Sequence, residues 1–441
     1  MKKNKALWIF FIVLFLMIAV SAGLIITNQM MQKRESQDSE IVTTSTGTSI
    51  GIEENTDITV GQVAGDTWNA ETAYTGGNEV VYNGKRFRAK WWTQGEAPDV
   101  NNASGPWECI GDAQPETTQS VDTNTTLPEV GEPVVGNTGF KVVGYYPSWQ
   151  PDKIDRVQFD VLTHINYAFA IPTAEGGVRP LENGQTAKKL IELAHQYNVK
   201  VLIAVGGWSY NDVPLEATFM DATSSDEKIK KFADAIIALM NEYGFDGVDM
   251  DWEHPRVDGD SSVRYTKLMT LLSAELKKQG KLLTAAVLSG VTADGNVYYD
   301  AAAHKDEVIQ CVDWFNVMAY DGGDGERHSS YDFAVNCGNY WKNTRKMPAE
   351  KVVLGVPFYA RPSWAAYDDI LKADSSADSK DVAVYQGMEA HYNGVPTIQK
   401  KTQWALENAG GVMIWEVTQD TAERNKSLLS AIGKTIANHN R

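Results

Sequence analysis

From residue 140 onward the chain alternates eight short apolar runs with longer amphipathic segments, and this alternation constrains the fold more than any single motif. The runs are FKVVGYY (140–146), HINYAFA (164–170), KVLIAVGG (200–207), FDGVDMDW (245–252), LLTAAVLS (282–289), FNVMAY (315–320), VVLGVPFY (352–359) and GVMIWE (411–416). Most are near-continuously apolar, as strands of a parallel sheet covered on both faces must be. Between them lie stretches such as AKKLIELAHQYN (187–198) and KIKKFADAIIALMNEYG (228–244), whose apolar residues recur at helical spacing. Eight such units over residues 139–441 predict an α/β fold, a (β/α)8 TIM barrel. A doubly wound sheet is the competing topology, but no glycine-rich phosphate loop follows the first strand.

The fourth run continues as FDGVDMDWEHP (245–255) and carries Asp246, Asp249, Asp251 and Glu253 with no compensating Lys or Arg. A solvated acidic loop does not fit, because Phe245, Val248, Met250 and Trp252 interleave with the acids. A calcium loop counted from Asp249 needs Gly at its sixth position and Glu at its twelfth, where His254 and Asp260 stand. A strand places Asp249, Asp251 and Glu253 on one face, about 6.6 Å from neighbour to neighbour. Glycoside hydrolysis uses carboxyls at that kind of spacing. In a barrel, chemistry sits at the carboxyl ends of the strands. The three acids are therefore expected to point inward toward the barrel mouth, with Val248, Met250 and Trp252 facing the helices. Asp246 has the opposite parity, at the strand's start, and reads as a supporting residue.

The remaining sequence sets the context. The net charge of −17 leaves no basic stripe for nucleic acid. No CxxC or HExxH occurs, so neither a metal nor a cofactor is expected. Cys109, Cys311 and Cys337 are too few for a disulfide framework, and Cys311 and Cys337 read as buried thiols more readily than as a pair. Lys2, Lys3 and Lys5 precede an apolar run over residues 6–27, which serves either as a signal peptide, with Val20-Ser21-Ala22 as a cleavage site, or as a membrane anchor. Both readings export the rest of the chain, as an extracellular protein released or tethered at the outer face of the membrane. Residues 28–65 and 113–138 are polar, with Pro, Thr and acids, and read as a disordered spacer and a linker. Between them, 66–112 is a compact block with Trp68, Trp91, Trp92 and Trp107. Trp68, Tyr74 and Trp107 read as its core. Neighbours Trp91 and Trp92 are expected in a strand and so to point to opposite faces, one packing inward and the other free for a ligand. A monomer is the default expectation.

At these residues the chain resembles known families. DGVDMDWE is similar to the DxxDxDxE signature of glycoside hydrolase family 18, the chitinase family, and YYPSW, HINYAFA, AVGGW, VMAYD, GVPFYARPSW and GGVMIWE resemble that family's strands in order over 140–433. The resemblance implies a retaining hydrolase of the β-1,4 links of chitin that uses the substrate's own N-acetyl group as nucleophile, through an oxazolinium intermediate. It makes Glu253 the catalytic acid and Asp251 the acid that orients the acetamido group. Asp249 lies one step deeper and shares a proton with Asp251. It carries Tyr320 and Asp321 over as further catalytic residues, Trp415 as the aromatic floor, Met318 as a pocket wall, and Trp208, Tyr145 and Arg361 as subsite residues. By the same comparison Asp251 raises the proton affinity of Glu253 through repulsion and desolvation. The family's SxGG is here Ala204-Val205-Gly206-Gly207, which removes a hydroxyl that would donate toward Asp249 and predicts a shifted pH profile. The short interval between the seventh and eighth strands implies that the α+β insertion of deep-cleft members is absent, and with it a shallow groove and internal cutting.

Residues 66–112, with AKWWTQG and GPWECIG, resemble chitin-binding modules of families 5 and 12, so Trp91 and Trp92 are the expected contacts with the polysaccharide. The linker would let the module hold solid substrate for the barrel. Two other readings share this machinery: an endo-β-N-acetylglucosaminidase acting on peptidoglycan or glycans, and an inactive chitin-binding lectin. The presence of Glu253 and Tyr320 speaks against the lectin.

Overall fold

Eight parallel strands pair side by side in chain order and close on themselves. They are β1 (Lys141–Pro147), β2 (His164–Ala170), β3 (Lys200–Gly207), β4 (Gly247–Trp252), β5 (Leu282–Val287), β6 (Trp314–Val317), β7 (Val352–Pro357) and β8 (Gly411–Trp415). The order around the barrel is β3-β4-β5-β6-β7-β8-β1-β2, with β1 hydrogen-bonded to both β8 and β2. This computed structural model describes residues 68–112, except 71–72, 75–76, 101 and 103–104, and residues 139–440. The chain divides into two compact units, within residues 1–122 and 123–441.

The strands sort their side chains between two apolar clusters. Val248, Met250 and Trp252 of β4 pack outward with helix residues such as Phe232, Ile236, Tyr265 and Leu268. Inward-facing Val143, Tyr145, Ala168, Ala204, Trp314, Val353 and Met413 form a smaller cluster inside the barrel. The helix Asp226–Tyr243 shows why the amphipathic segments take the outer ring. Its buried Ile229, Phe232, Ala233, Ile236, Leu239 and Met240 form one stripe, Ser225 caps the amide of Lys228, and Gly244 at φ 81° ends it. Gly206 of the AVGG run, at φ 115°, sits where a Cβ would collide with the carbonyl of Asp251, so only glycine lets β3 lie this close to the acidic strand.

The β7–β8 interval carries small elements of its own. It holds a helix (Tyr367–Ala373) and a two-stranded hairpin, Val382–Tyr385 with Met388–His391. The backbones of Arg361 and His391 exchange two 3.0 Å hydrogen bonds that anchor the hairpin to the loop after β7. All three cysteines are free thiols: Cys109 exposed, Cys311 half-buried and Cys337 buried.

In the N-terminal unit a three-stranded antiparallel sheet joins Glu79–Tyr82, Lys85–Ala89 and Trp107–Asp112. Tyr74, Val80, Phe87, Ala89 and Trp107 are its core, with Trp68 packed against them. Trp91 and Trp92 lie in a bend between strands, where the alternation of a strand does not operate, and both are open to solvent at 49% and 61% exposure. The expected inward member of that pair does not exist. Among the described residues no helix is long and apolar enough to cross a membrane; residues 6–27 and both spacers lie outside them.

Candidate active site

β4 sets the axis of the site. Asp249 and Asp251 are buried inside the barrel, and Glu253, just past the strand's end, is 17% exposed at the mouth. Asp246, at the other end, accepts the amide of Val201 and lies 2.8 Å from Nε2 of His195, so it ties strand starts together.

Asp249 carries more partners than the sequence indicated. Tyr145 donates its hydroxyl to Oδ2 at 2.5 Å, and Thr284 and Asn316 donate to Oδ1 at 2.5 and 3.0 Å. Burial pushes its carboxyl up to about 6, while those three donors pull the other way. The hydroxyl missing at Ala204 is thus matched by one from β5. Tyr145, expected as a subsite residue, sits buried against the deepest acid, with its hydroxyl held on that acid.

Asp251 is pushed well above the ordinary carboxylate range by burial, then by Glu253 and Asp249 beside it. Its Oδ1 is buried with no hydrogen-bond partner in the protein, which leaves it open as an acceptor. Glu253 is raised to about 7, by burial first and then by the charge on Asp321. His254 Nε2 lies 3.4 Å from Glu253, but burial and the Arg256 charge hold this ring neutral down to about pH 4, so it supplies no counter-charge.

Tyr320 and Asp321 follow β6. Burial and the nearby acids keep the Tyr320 hydroxyl protonated, hence a donor. Burial would raise Asp321, yet hydrogen bonds from His328 and Tyr359 and the Arg361 charge hold it below the usual range. Arg361 bridges Asp321, at 3.3 Å, and Asp324, at 2.7 Å, so it acts as a clamp on that loop. Met318, Tyr320 and Trp415 pack together on the interior cluster. Trp415 stacks on Phe169 at 5.8 Å and meets Tyr145 edge-on at 5.4 Å. Trp208 stands exposed past the end of β3, apart from the buried acids.

Five residues of the site escaped the sequence reading. Thr284 and Asn316 are polar residues within the apolar runs LLTAAVLS and FNVMAY, and that was the available signal. Trp364 is exposed, stacks on Tyr359 at 5.6 Å and lies under the Arg361 guanidinium at 4.0 Å. Exposed Trp149 packs on Phe169 at 6.2 Å, extending the aromatic run that ends at Trp415. His328 is the fifth. Among the described residues no group of three or more His, Cys, Asp and Glu is arranged to hold a metal ion.

Comparison with known proteins accounts for this arrangement. The family model for glycosyl hydrolases family 18 matches residues 141–420, and that for carbohydrate-binding module family 5/12 matches 67–108. Chitinase A1 of Niallia circulans is 26% identical over 302 residues, covering 50% of this chain and 42% of that protein. Chitinase B of Serratia marcescens is 27% identical over 259 residues, 45% of this chain and 50% of that protein. The chain thus spans half or less of the length of these relatives. Among solved structures, the GH18 chitinase ChiB of Flavobacterium johnsoniae aligns with TM-score 0.58 and 29% identity over 67% of this chain and 94% of that one. A chitinase from Bacteroides thetaiotaomicron aligns with TM-score 0.57 and 28% identity, over 67% and 96%. With the family match spanning more than half of its length, the chain belongs to glycosyl hydrolases family 18 and carries a family 5/12 carbohydrate-binding module before its barrel.

Proposed function

We propose that the protein is a chitinase that hydrolyses β-1,4 linkages between N-acetylglucosamine units with retention at the anomeric carbon. The observation that carries this reading is Glu253, at the barrel mouth with its carboxyl raised to about 7, above an inward pair of buried aspartates. A carboxylic acid that keeps its proton near neutrality can hand it to the leaving glycosidic oxygen. The acetamido carbonyl oxygen of the sugar then bonds to the anomeric carbon as the glycosidic bond breaks, giving an oxazolinium ion. The unpartnered Asp251 oxygen accepts the acetamido N–H and offsets the positive charge. Tyr320 donates to the acetamido oxygen, Trp415 lies under the ring, and Met318 walls the pocket. Water opens the oxazolinium ion while Glu253 takes its proton back, and attack from the face the leaving group vacated retains configuration.

Asp249 and Asp251 share one proton, so that the pair keeps one negative charge for the intermediate. Arg361 and Asp321 shape the mouth, and Trp208 offers a sugar platform at its rim. Trp91 and Trp92 bind chitin, supported by their exposure and by the family of their module. The basic start and apolar run of residues 6–27 support export, with the mature chain an extracellular monomer, released or tethered. The deciding experiment is release of soluble oligosaccharides from β-chitin by the parent and by Glu253→Gln. Activity that collapses by orders of magnitude in the variant supports the hydrolase. Chitin binding without sugar release by either protein would overturn it in favour of a lectin.

A further inference from the structure

Glu253 is followed at once by His254, and the two side chains meet just past the end of β4. Nε2 of the imidazole lies 3.4 Å from Oε2 of the glutamate, and both side chains are largely buried. Among the described residues no hydrogen bond holds the Glu253 carboxyl, so this ring is the polar group set against the acid. The loop keeps the ring in place: Pro255 follows it, and the amide of Arg256 donates to Oγ of Ser261 at 2.8 Å. Arg256 does not compete for the acid, because its guanidinium is taken by the two carboxyl oxygens of Glu216 at 2.5 and 3.1 Å. The other nitrogen of the His254 ring, Nδ1, is buried and meets no partner. A neutral imidazole carries one hydrogen. On Nδ1 it would be an orphaned buried N–H, a rarer defect than an unused acceptor. On Nε2 it faces a carboxyl oxygen. The hydrogen therefore belongs on Nε2.

We propose that His254 is a positioning residue for the hydrolysis: its Nε2–H holds Oε2 of Glu253, so that the acid proton sits on Oε1 and passes from there to the leaving glycosidic oxygen. The inference rests on the reading of Glu253 as the catalytic acid. A carboxylic acid has two oxygens and one proton, and a donor set against one oxygen leaves the proton to the other. With the opposite tautomer, the Nε2 lone pair would accept the acid's own O–H and turn it away from the sugar. As the O–H bond at Oε1 breaks and the leaving oxygen takes the proton, the electron pair left behind is shared with Oε2. The Nε2–H contact then has a charged acceptor and strengthens. An interaction stronger in the transition state than in the ground state speeds that step. The separation of 3.4 Å is longer than a settled N–H···O bond, as catalytic contacts often are before substrate is bound. Burial and the Arg256 charge keep the ring uncharged through the neutral range, so it orients the acid without cancelling it.

The test compares kcat/KM, which reports departure of the leaving group, on a soluble N-acetylglucosamine oligomer and on a dinitrophenyl glycoside of the same sugar. A sugar alcohol needs the proton of Glu253 to leave, whereas dinitrophenolate leaves without it. His254→Phe keeps a flat ring and removes the N–H, and His254→Gln returns an amide N–H near the place of Nε2. His254→Phe should lose about tenfold on the oligomer and less than about twofold on the aryl glycoside, and His254→Gln should recover most of the loss. A purely structural histidine would lower stability and cut both substrates alike. Equal losses on the two substrates, or His254→Phe matching the parent on the oligomer, overturn the proposal. Glu253→Gln checks the reading beneath it, and should abolish cleavage of the oligomer while sparing the aryl glycoside. Oligomer cleavage untouched in that variant would remove Glu253 as the acid, and the proposal with it. If neither His254 variant folds, 15N-histidine spectra of the parent decide. The ring whose resonances respond to Glu253→Gln must carry its one hydrogen on Nε2 at the pH of maximal activity, and a hydrogen on Nδ1 overturns the proposal. A parent that cleaves neither substrate sinks the chitinase reading instead, and the same spectra still test the tautomer.

Discussion

The indole N–H of Trp314 donates to Oδ1 of Asn316 at 3.0 Å, and that bond decides which end of the Asn316 amide faces Asp249. An indole nitrogen can only donate, so its partner must be the amide oxygen, leaving Nδ2 to donate to Asp249 at 3.0 Å. Asn316→Ala strips the acceptor from a buried indole and a donor from a buried carboxylate. Urea unfolding should show a loss of about 2–3 kcal/mol. A loss under about 0.5 kcal/mol would mean that water replaces the amide at no cost.

The donors on Asp249 set its proton affinity, with the carboxyl now at about 6. Removing one in Thr284→Val disfavours the charged form and raises the affinity, so the pair loses its negative charge at a higher pH. The acid limb of the kcat profile should move up by about one unit. Ala204 lies directly across from Asp249 on β3, so Ala204→Ser adds a donor and should move the same limb down. Movement of both variants in the same direction would disconnect Asp249 from that limb.

Glu253 acts as an acid only while protonated, and its proton is held up to about pH 7. In the parent, kcat/KM should fall by about tenfold per pH unit on the alkaline side of that value. Activity that stays level through pH 9 would show that another group supplies the proton.

Lys401 is buried, and its Nζ donates to the carbonyl and hydroxyl of Ser329 and to Oδ1 of Asn393. Burial lowers it from 10.5 to about 7. Between those values the unfolded chain binds a proton that the folded one does not, so this residue's contribution to stability rises as pH goes from 7 toward 10.5. Parent and Lys401→Met should therefore diverge in stability over that window, with the parent gaining. A difference independent of pH would show that the ammonium stays charged in the fold.

Trp91 and Trp92 both face solvent, with the Lys90 ammonium 4.8 Å from the Trp91 ring. If both lie against polysaccharide, Trp91→Ala and Trp92→Ala should each weaken chitin pull-down by several-fold, about 1 kcal/mol, and the double variant by more. Hydrolysis of a soluble oligomer should not change. Unaltered pull-down in the double variant would remove this bend from the binding face.

The barrel was legible in the sequence because each βα unit carries its own signal. Apolar runs at strand length, amphipathic segments at helical spacing and the parity of Asp249, Asp251 and Glu253 are local properties, and local periodicity determines which face is buried. Tyr320, Asp321, Met318 and Trp415 were expected only through the resemblance of VMAYD and GGVMIWE to the family's strands, not through any local periodicity. Contacts across the barrel were not legible. Asn316 reaches Asp249 across 67 residues of sequence and Tyr145 reaches it across 104, so only closure of the sheet brings them together. Where the backbone leaves the strand, parity stops predicting exposure, and Trp91 and Trp92 both turn outward. The sequence by itself determined the elements and the inward row of acids. Only the tertiary structure decided which partners set their protons, because electrostatic fields depend on distance through the fold and not along the chain.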